Sequence, residues 1–142
     1  MEHTWNDALP IYRQLMNEII GWILRGELQD GDPLPSIRAI ASRFRVNPLT
    51  VSKACQGLTF NRIVDKQRGV GFFVRRGARK MLLRSEKEKF LQEELPELLK
   101  RIKQLGISHR ELLAALEDAD DSLVADAGLE PGTGAGPKDL LA

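Results

Sequence analysis

Residues Leu34 to Lys53 read L-P-S-I-R-A-I-A-S-R-F-R-V-N-P-L-T-V-S-K. The stretch holds two short amphipathic helix patterns joined by a tight turn. Ser36 caps the first, and Ile37, Ile40, Ala41 and Phe44 mark its core face. Arg38, Arg43 and Arg45 project from other faces or from the turn. Asn47 offers a side-chain oxygen as N-cap of the second helix, and Pro48 stands at its first position, where a missing N–H costs little. Thr50, Ser52 and Lys53 then lie opposite Val51, Ala54 and Leu58. A short helix with an apolar back, a hydroxyl-rich and basic front and a partner before it is what a helix-turn-helix inserts into the DNA major groove.

The neighbouring segments extend this unit. Upstream, Ile11, Leu15, Ile19 and Ile23 form one i+4 row, and Tyr12, Met16, Ile20 and Leu24 form the next. Two adjacent rows predict a deeply packed helix that opens at Pro10 and ends near Gly26. Asp30-Gly31-Asp32-Pro33 reads as a turn. Downstream, the recognition helix is expected to run to about Phe60, with Gly57 a weak spot of about 1 kcal/mol relative to alanine. Residues 63–68 and 72–75 read as two strands around the turn Gly69-Val70-Gly71, whose glycines suit positive φ and close phosphate approach. Helix-turn-helix followed by a hairpin is a winged helix, with Arg68 at the wing tip and Lys66, Arg75 and Arg76 flanking it.

Charge distribution favours a polyanionic partner. The net charge is only +1, but Met1 to Arg84 carries 14 Lys and Arg against 7 Asp and Glu, while the remainder carries 7 against 13. Between Arg38 and Arg84 there are 12 basic residues and one acidic residue, Asp65. Such a density on a helix-turn-helix pattern points to nucleic acid.

Beyond Gly77 the chain reads as helical and increasingly acidic. Leu91, Leu95, Leu98, Ile102 and Leu105 alternate steps of four and three, a coiled-coil-like seam, with Phe90 and Leu99 beside it. Pro96 implies a kink, or a helix end at Leu95 with a new helix opening at Pro96. Gly106 stops the helix. Ser108-His109-Arg110-Glu111 matches a capping box, followed by a short helix with Leu112, Leu113 and Leu116 on its apolar face. The leucine stripe is wider than one small domain needs, which favours dimerisation over internal packing. The expected domains are 1–76 (winged helix-turn-helix), 77–120 (helical dimerisation segment) and 121–142 (a disordered acidic and glycine-rich tail). The expected fold class is mainly α with a small β-hairpin.

Four motifs together carry a resemblance. The runs P-I-Y-R-Q-L from Pro10, L-P-S-I-R from Leu34, V-N-P-L-T-V-S-K-A from Val46 and R-G-V-G-F-F-V from Arg68 resemble the winged-helix domain of the GntR family of bacterial transcription regulators. The short helical C-terminus, with L-G-I-S-H-R-E-L-L from Leu105, is similar to the YtrA-type subfamily, which lacks a large ligand-binding domain. The resemblance implies DNA contacts by Arg38, by Asn47, Pro48, Thr50 and Ser52 with Lys53 adjoining, and by Arg68 and Gly69 at the wing. It also implies repression of an operon that includes the regulator's own gene and often an ATP-binding cassette transporter. Three departures stand out. Arg62 replaces a usual glycine after the recognition helix, so either Asn61 turns left-handed or the turn differs. Val70 replaces a usual cation between the wing glycines. Leu49 and Gly57 sit where polar residues are common.

The expected partner is therefore double-stranded DNA with a palindromic operator, bound by a homodimer, with Arg38, Arg43, Arg45, Lys53 and Arg68 neutralising phosphates. Rival readings are a winged-helix protein-interaction module and a regulator with an unidentified small-molecule effector at the dimer interface. An enzyme is the least supported class, because nothing places a nucleophile beside a base. No cofactor or metal is expected: His3 and His109 lack companions at ligand spacing, the Asp118, Asp120, Asp121 cluster lacks EF-hand spacing, and Gly69-x-Gly71 lacks a following G-K-[S/T]. Cys55 reads as a small buried hydrophobe, and Trp5 and Trp22 as core or interface residues. No run approaches the ~18 apolar residues of a membrane span, and no signal peptide is visible, so a cytoplasmic location is expected.

Overall fold

A computed structural model describes residues 3–129 together with 137 and 140, with side chains described for 3–120 and those two. The order is α1 (Ile11–Leu24), α2 (Ile37–Phe44), α3 (Pro48–Phe60), β1 (Val64–Gln67), β2 (Gly71–Val74), α4 (Ala78–Lys89), a π-helical turn (Phe90–Glu94), α5 (Leu95–Gln104) and α6 (His109–Leu129). The chain divides into two compact units, one running to Leu83 and the next beginning at Arg84.

The first unit is a winged helix. Leu15, Ile19, Trp22 and Ile23 of α1 are buried with Ile40, Ala41 and Phe44 of α2 and Val51, Ala54, Cys55 and Leu58 of α3. The second row on α1, Tyr12, Met16, Ile20 and Leu24, is half-buried and packs on that core. Gly57 is a packing device: a methyl group added there would lie 2.7 Å from Met16 Sδ, so its absence lets α1 and α3 approach closely. The helix-propensity cost expected at this position is offset by that contact. Gln14, buried among these apolar residues, ties down the N-terminal arm. It accepts from Asn6 N–H at 3.0 Å and donates to the carbonyls of Asn6 and Leu9 at 2.7 Å each. His3 packs edge-on against Trp5 and Phe44, Trp22 is part of the core, and Trp5 packs against it.

The helix boundaries follow the capping chemistry. Ser36 Oγ accepts from Ala39 N–H at 3.0 Å, and Asn47 Oδ1 accepts from Leu49 N–H at 2.8 Å. The α2–α3 turn passes through Arg45 in the left-handed region, φ 54°. After α3, Arg62 itself takes the left-handed conformation, φ 60°, while Asn61 stays at φ −82°. Ile63 N–H donates to Leu58 O and Arg62 N–H to Thr59 O, the paired bonds that close a helix C-terminus around such a residue. The turn keeps its shape, and an arginine occupies the position that a glycine would fill without strain.

β1 and β2 pair antiparallel from Val64↔Val74 to Gln67↔Gly71, leaving Arg68-Gly69-Val70 as the wing tip. The segment expected to be only a turn, residues 30–33, also lines the sheet. Gly31 N–H bonds Val74 O, Val74 N–H bonds Asp32 O, Leu34 N–H bonds Phe72 O, and Pro33 bridges Phe73. A proline is compatible with this outer edge because no donor is required of it there.

The first unit continues past Gly77. Ala78 and Leu82 of α4 are buried in its core, Gly77 N–H bonds Asp30 Oδ2 at 2.7 Å, and Arg79 Nε bonds Leu24 O.

In the second unit α5 opens at Leu95 with Pro96 in its first turn, close to one of the two expected outcomes. The π-helical turn widens the backbone just before it, and Leu95 N–H reaches back to Phe90 O. The wider turn accommodates the proline ring and its missing donor. Gly106 (φ 67°) ends α5. The capping box forms as expected, Ser108 N–H to Glu111 Oε2 at 2.8 Å and Glu111 N–H to Ser108 Oγ at 3.2 Å. Helix α6 then runs to Leu129, past the Asp121 where a tail was expected. The alanine-rich sequence carries no breaker before Gly128. Further along the expected tail, Pro137 is buried and Leu140 packs on the first unit's core. The rest of that tail, residues 130–136, 138, 139, 141 and 142, lies outside the described residues.

Candidate nucleic-acid interface

The recognition helix α3 presents one buried and one open face. Val51, Ala54, Cys55 and Leu58 are inside, at the spacing one helix face requires. Leu49, Lys53, Gln56 and Phe60 recur at helical intervals on the outside, with Ser52 half-buried on one flank and Thr50 half-buried on the other. Neither Thr50 nor Lys53 is hidden in the core.

Two grooves border this ridge. On the wing side, a cleft of about 420 Å³ is lined by Ile37, Ser52, Gln56, Thr59, Gly69 and Phe72. Lys66 also lines it, with its ammonium 5.9 Å from the Phe72 ring centre. On the α1 side, a groove of about 660 Å³ runs past Tyr12, Arg13, Asn17, Lys53 and Asn61. Lys53 leans into that second groove, its ammonium 4.2 Å above the Tyr12 ring. A hydrogen bond to Arg13, assisted by the Arg13 and Lys53 charges, draws the Tyr12 hydroxyl below its ordinary pKa against a smaller opposing effect of burial.

The expected residues separate by role. Arg38 is exposed on the first turn of α2, and Arg68 and Gly69 (φ 79°) are exposed at the wing tip. Asn47 and Pro48 are exposed at the start of α3, where Asn47 spends its oxygen on the cap. Arg43 is half-buried, with its guanidinium 5.6 Å from the centre of the Phe44 ring, and its Nε is buried without a hydrogen-bond partner among the described residues. Arg45 is exposed beside the turn that its own backbone shapes.

Sequence reasoning missed Gln56 and undervalued Leu49. Gln56 lies seven residues after Leu49 and three after Lys53, on the same helix face, but attention to basic and hydroxyl residues passed over both. The open face is also less uniformly polar than expected, since Leu49 is 77% and Phe60 88% exposed. Leu49 suits a thymine methyl group in a major groove. Cys55 is buried, and desolvation pushes its thiol up to about 11.

The second unit exposes its apolar row. Phe90, Leu91, Leu98, Leu99, Leu105, Leu113 and Leu116 are exposed, and Leu95, Ile102 and Leu112 are half-buried. Neither the π-helical turn nor α5 buries any residue within the single chain. Among the described residues no His, Cys, Asp and Glu cluster could hold a metal, and no helix is long and apolar enough to cross a membrane.

Comparison with known proteins agrees with this geometry. The model of bacterial regulatory proteins of the gntR family matches residues 11–74. The chain is similar to the uncharacterised HTH-type transcriptional regulator YhcF of Bacillus subtilis (strain 168), 32% identical over 117 residues, 82% of this chain and 95% of that protein. It is also 34% identical over 92 residues to the HTH-type transcriptional repressor YtrA of the same organism, 65% of this chain and 70% of that one. Among solved structures, a putative transcriptional regulator of the GntR family from Bacteroides thetaiotaomicron aligns with TM-score 0.63 and 31% identity, covering 79% of this chain and 98% of that chain. These relatives are named as transcriptional regulators. With a winged helix whose recognition face is open and flanked by cations, the chain belongs to the gntR family of bacterial regulatory proteins, as a DNA-binding transcriptional regulator.

Proposed function

We propose that the protein represses transcription as a homodimer bound to a palindromic operator. The observation that carries this reading is the pairing of two exposed surfaces on one chain. One is the α3 ridge with its bordering cations, and the other is the uncovered leucine row of the second unit. A single recognition helix reads only a few base pairs, so tight and specific binding calls for two, placed about 34 Å apart along the duplex. The leucine row supplies the means of joining two chains, since an apolar stripe of that length is costly to leave in water.

Arg38, Arg43, Arg45, Lys53 and Arg68 neutralise phosphates in this reading, and Leu49, Thr50, Ser52, Lys53 and Gln56 meet base edges. Gln56 suits adenine N6 and N7, and Lys53 suits guanine. Repression is supported by the similarity to YtrA, which is named as a repressor. Selection of bound duplexes from a random pool tests the proposal. Inverted repeats with a fixed spacing near one helical turn, or a multiple of it, are expected. Recovery of single half-sites, or of no common sequence, would overturn it.

A further inference from the structure

The ridge on α3 has a groove on each side, and the two grooves differ in origin. A helix lying in the major groove, roughly 12 Å wide, has one phosphate strand along each flank. On one flank stands the wing, which carries Lys66, Arg68 and Gly69, all exposed, with Lys66 and Gly69 lining the groove. The opposite flank belongs to α1, an element that neither the helix-turn-helix nor the wing accounts for.

That flank is chemically suited to an anionic strand. No carboxylate lines the groove between α1 and α3, and the first turn of α1 contains no acidic residue. Arg13 is exposed there, with the Tyr12 hydroxyl beside it and the Lys53 ammonium 4.2 Å above the Tyr12 ring. A guanidinium fork can hold two phosphate oxygens, a phenol can donate to a third, and the lysine adds a point charge. Met16 and Ile20 on the groove wall offer an apolar surface to deoxyribose. The wing tip carries Val70, exposed and uncharged, between its glycines.

We propose that the first turn of α1, through Arg13 and Tyr12, holds the phosphate strand opposite the wing, so that each subunit clamps both edges of one major groove. This rests on the reading of the protein as a duplex-binding regulator. It adds affinity and orientation without adding base preference, because phosphate contacts carry no sequence information of their own.

The test uses the full chain and a duplex recovered by selection, with Arg13→Ala, Arg13→Lys and Tyr12→Phe each checked for an unchanged thermal melt. Binding is followed by fluorescence anisotropy across a salt series. Arg13→Ala is expected to weaken specific and scrambled duplexes by the same factor, about tenfold, and to reduce the log–log salt slope by about 0.9, the value of one lost phosphate contact. Arg13→Lys retains the slope. Neutral methylphosphonates placed singly along each strand are expected to reveal one position, on the strand away from the wing, that weakens the native protein but not Arg13→Ala. Native affinity and slope in Arg13→Ala overturn the proposal while leaving DNA binding intact. A native chain that binds no duplex overturns the regulator reading, and this one with it.

Discussion

The ammonium of Lys53 rests 4.2 Å above the ring of Tyr12, so the one cation of the recognition helix is held by α1 before DNA arrives. The contact orders a long side chain whose freedom would otherwise be lost on binding. Lys53→Met keeps the aliphatic stem on the ring and removes only the charge. Weaker binding to every duplex is expected, with a salt slope flatter by about one unit and a melting temperature within about 2 °C of the native protein. Filter binding across a salt series checks it, and an unchanged slope would remove Lys53 from the phosphate contacts.

Arg62 offers a gain in stability. It occupies the left-handed position that closes α3, with φ 60°, where a side chain is strained and glycine is not. Arg62→Gly relieves the strain but loosens the unfolded chain. A net stabilisation of about 0.5–1 kcal/mol is expected, seen as a higher urea midpoint with an unchanged slope. A lower midpoint would mean that the arginine side chain contributes more than its backbone costs.

Cys55 makes the fold sensitive to alkali. Its folded pKa, about 11, lies above that of an unfolded thiol, so the native state holds a proton that the unfolded state releases. Its contribution is fully present below about pH 9 and is lost as pH rises toward 11, on the order of 2 kcal/mol in all. Urea titrations at pH 8 and pH 10.5 measure the loss, and Cys55→Ala is expected to show a smaller one. The native thiol should also resist a disulfide reagent at pH 8 until the protein is unfolded. Rapid modification of the folded protein would contradict its burial.

Leu98 lies 47% exposed in the middle of the α5 row. Leu98→Asp places a charge there without touching the winged helix. Monomers in sedimentation and a loss of tight operator binding of 100-fold or more are expected, with the weak binding to single half-sites retained. A fully active dimer would show that the chains join elsewhere.

Much of this architecture was legible because local chemistry dictated it. Ser36 and Asn47 cap the helices that their side chains announce, Ser108 and Glu111 form their reciprocal pair, and the i+4 rows of α1 give its buried face, except at Ile11, which is exposed at the start of the helix. What escaped depended on tertiary contact or on backbone adjustment. Ala78 and Leu82 join the first core from beyond Gly77, and no pattern in so basic a segment marks them. The edge pairing of residues 31–34 with β2 is set by long-range hydrogen bonds that a turn-like D-G-D-P does not advertise. The π-helical turn before Pro96 is one of several ways to absorb a proline, and sequence alone does not choose among them. On the recognition face, Gln56 was hidden by the search for charge, although its spacing from Leu49 placed it on the open ridge.

In the proposed complex two copies of one cationic helix face bind one duplex together. Sedimentation of the protein with a labelled palindromic duplex and with its isolated half-site, at low and at physiological salt, tests it most directly. Two chains per palindrome are predicted, bound far more tightly than the half-site and released steeply as salt rises. One chain per palindrome, no advantage over the half-site, or no complex even in dilute buffer would contradict it.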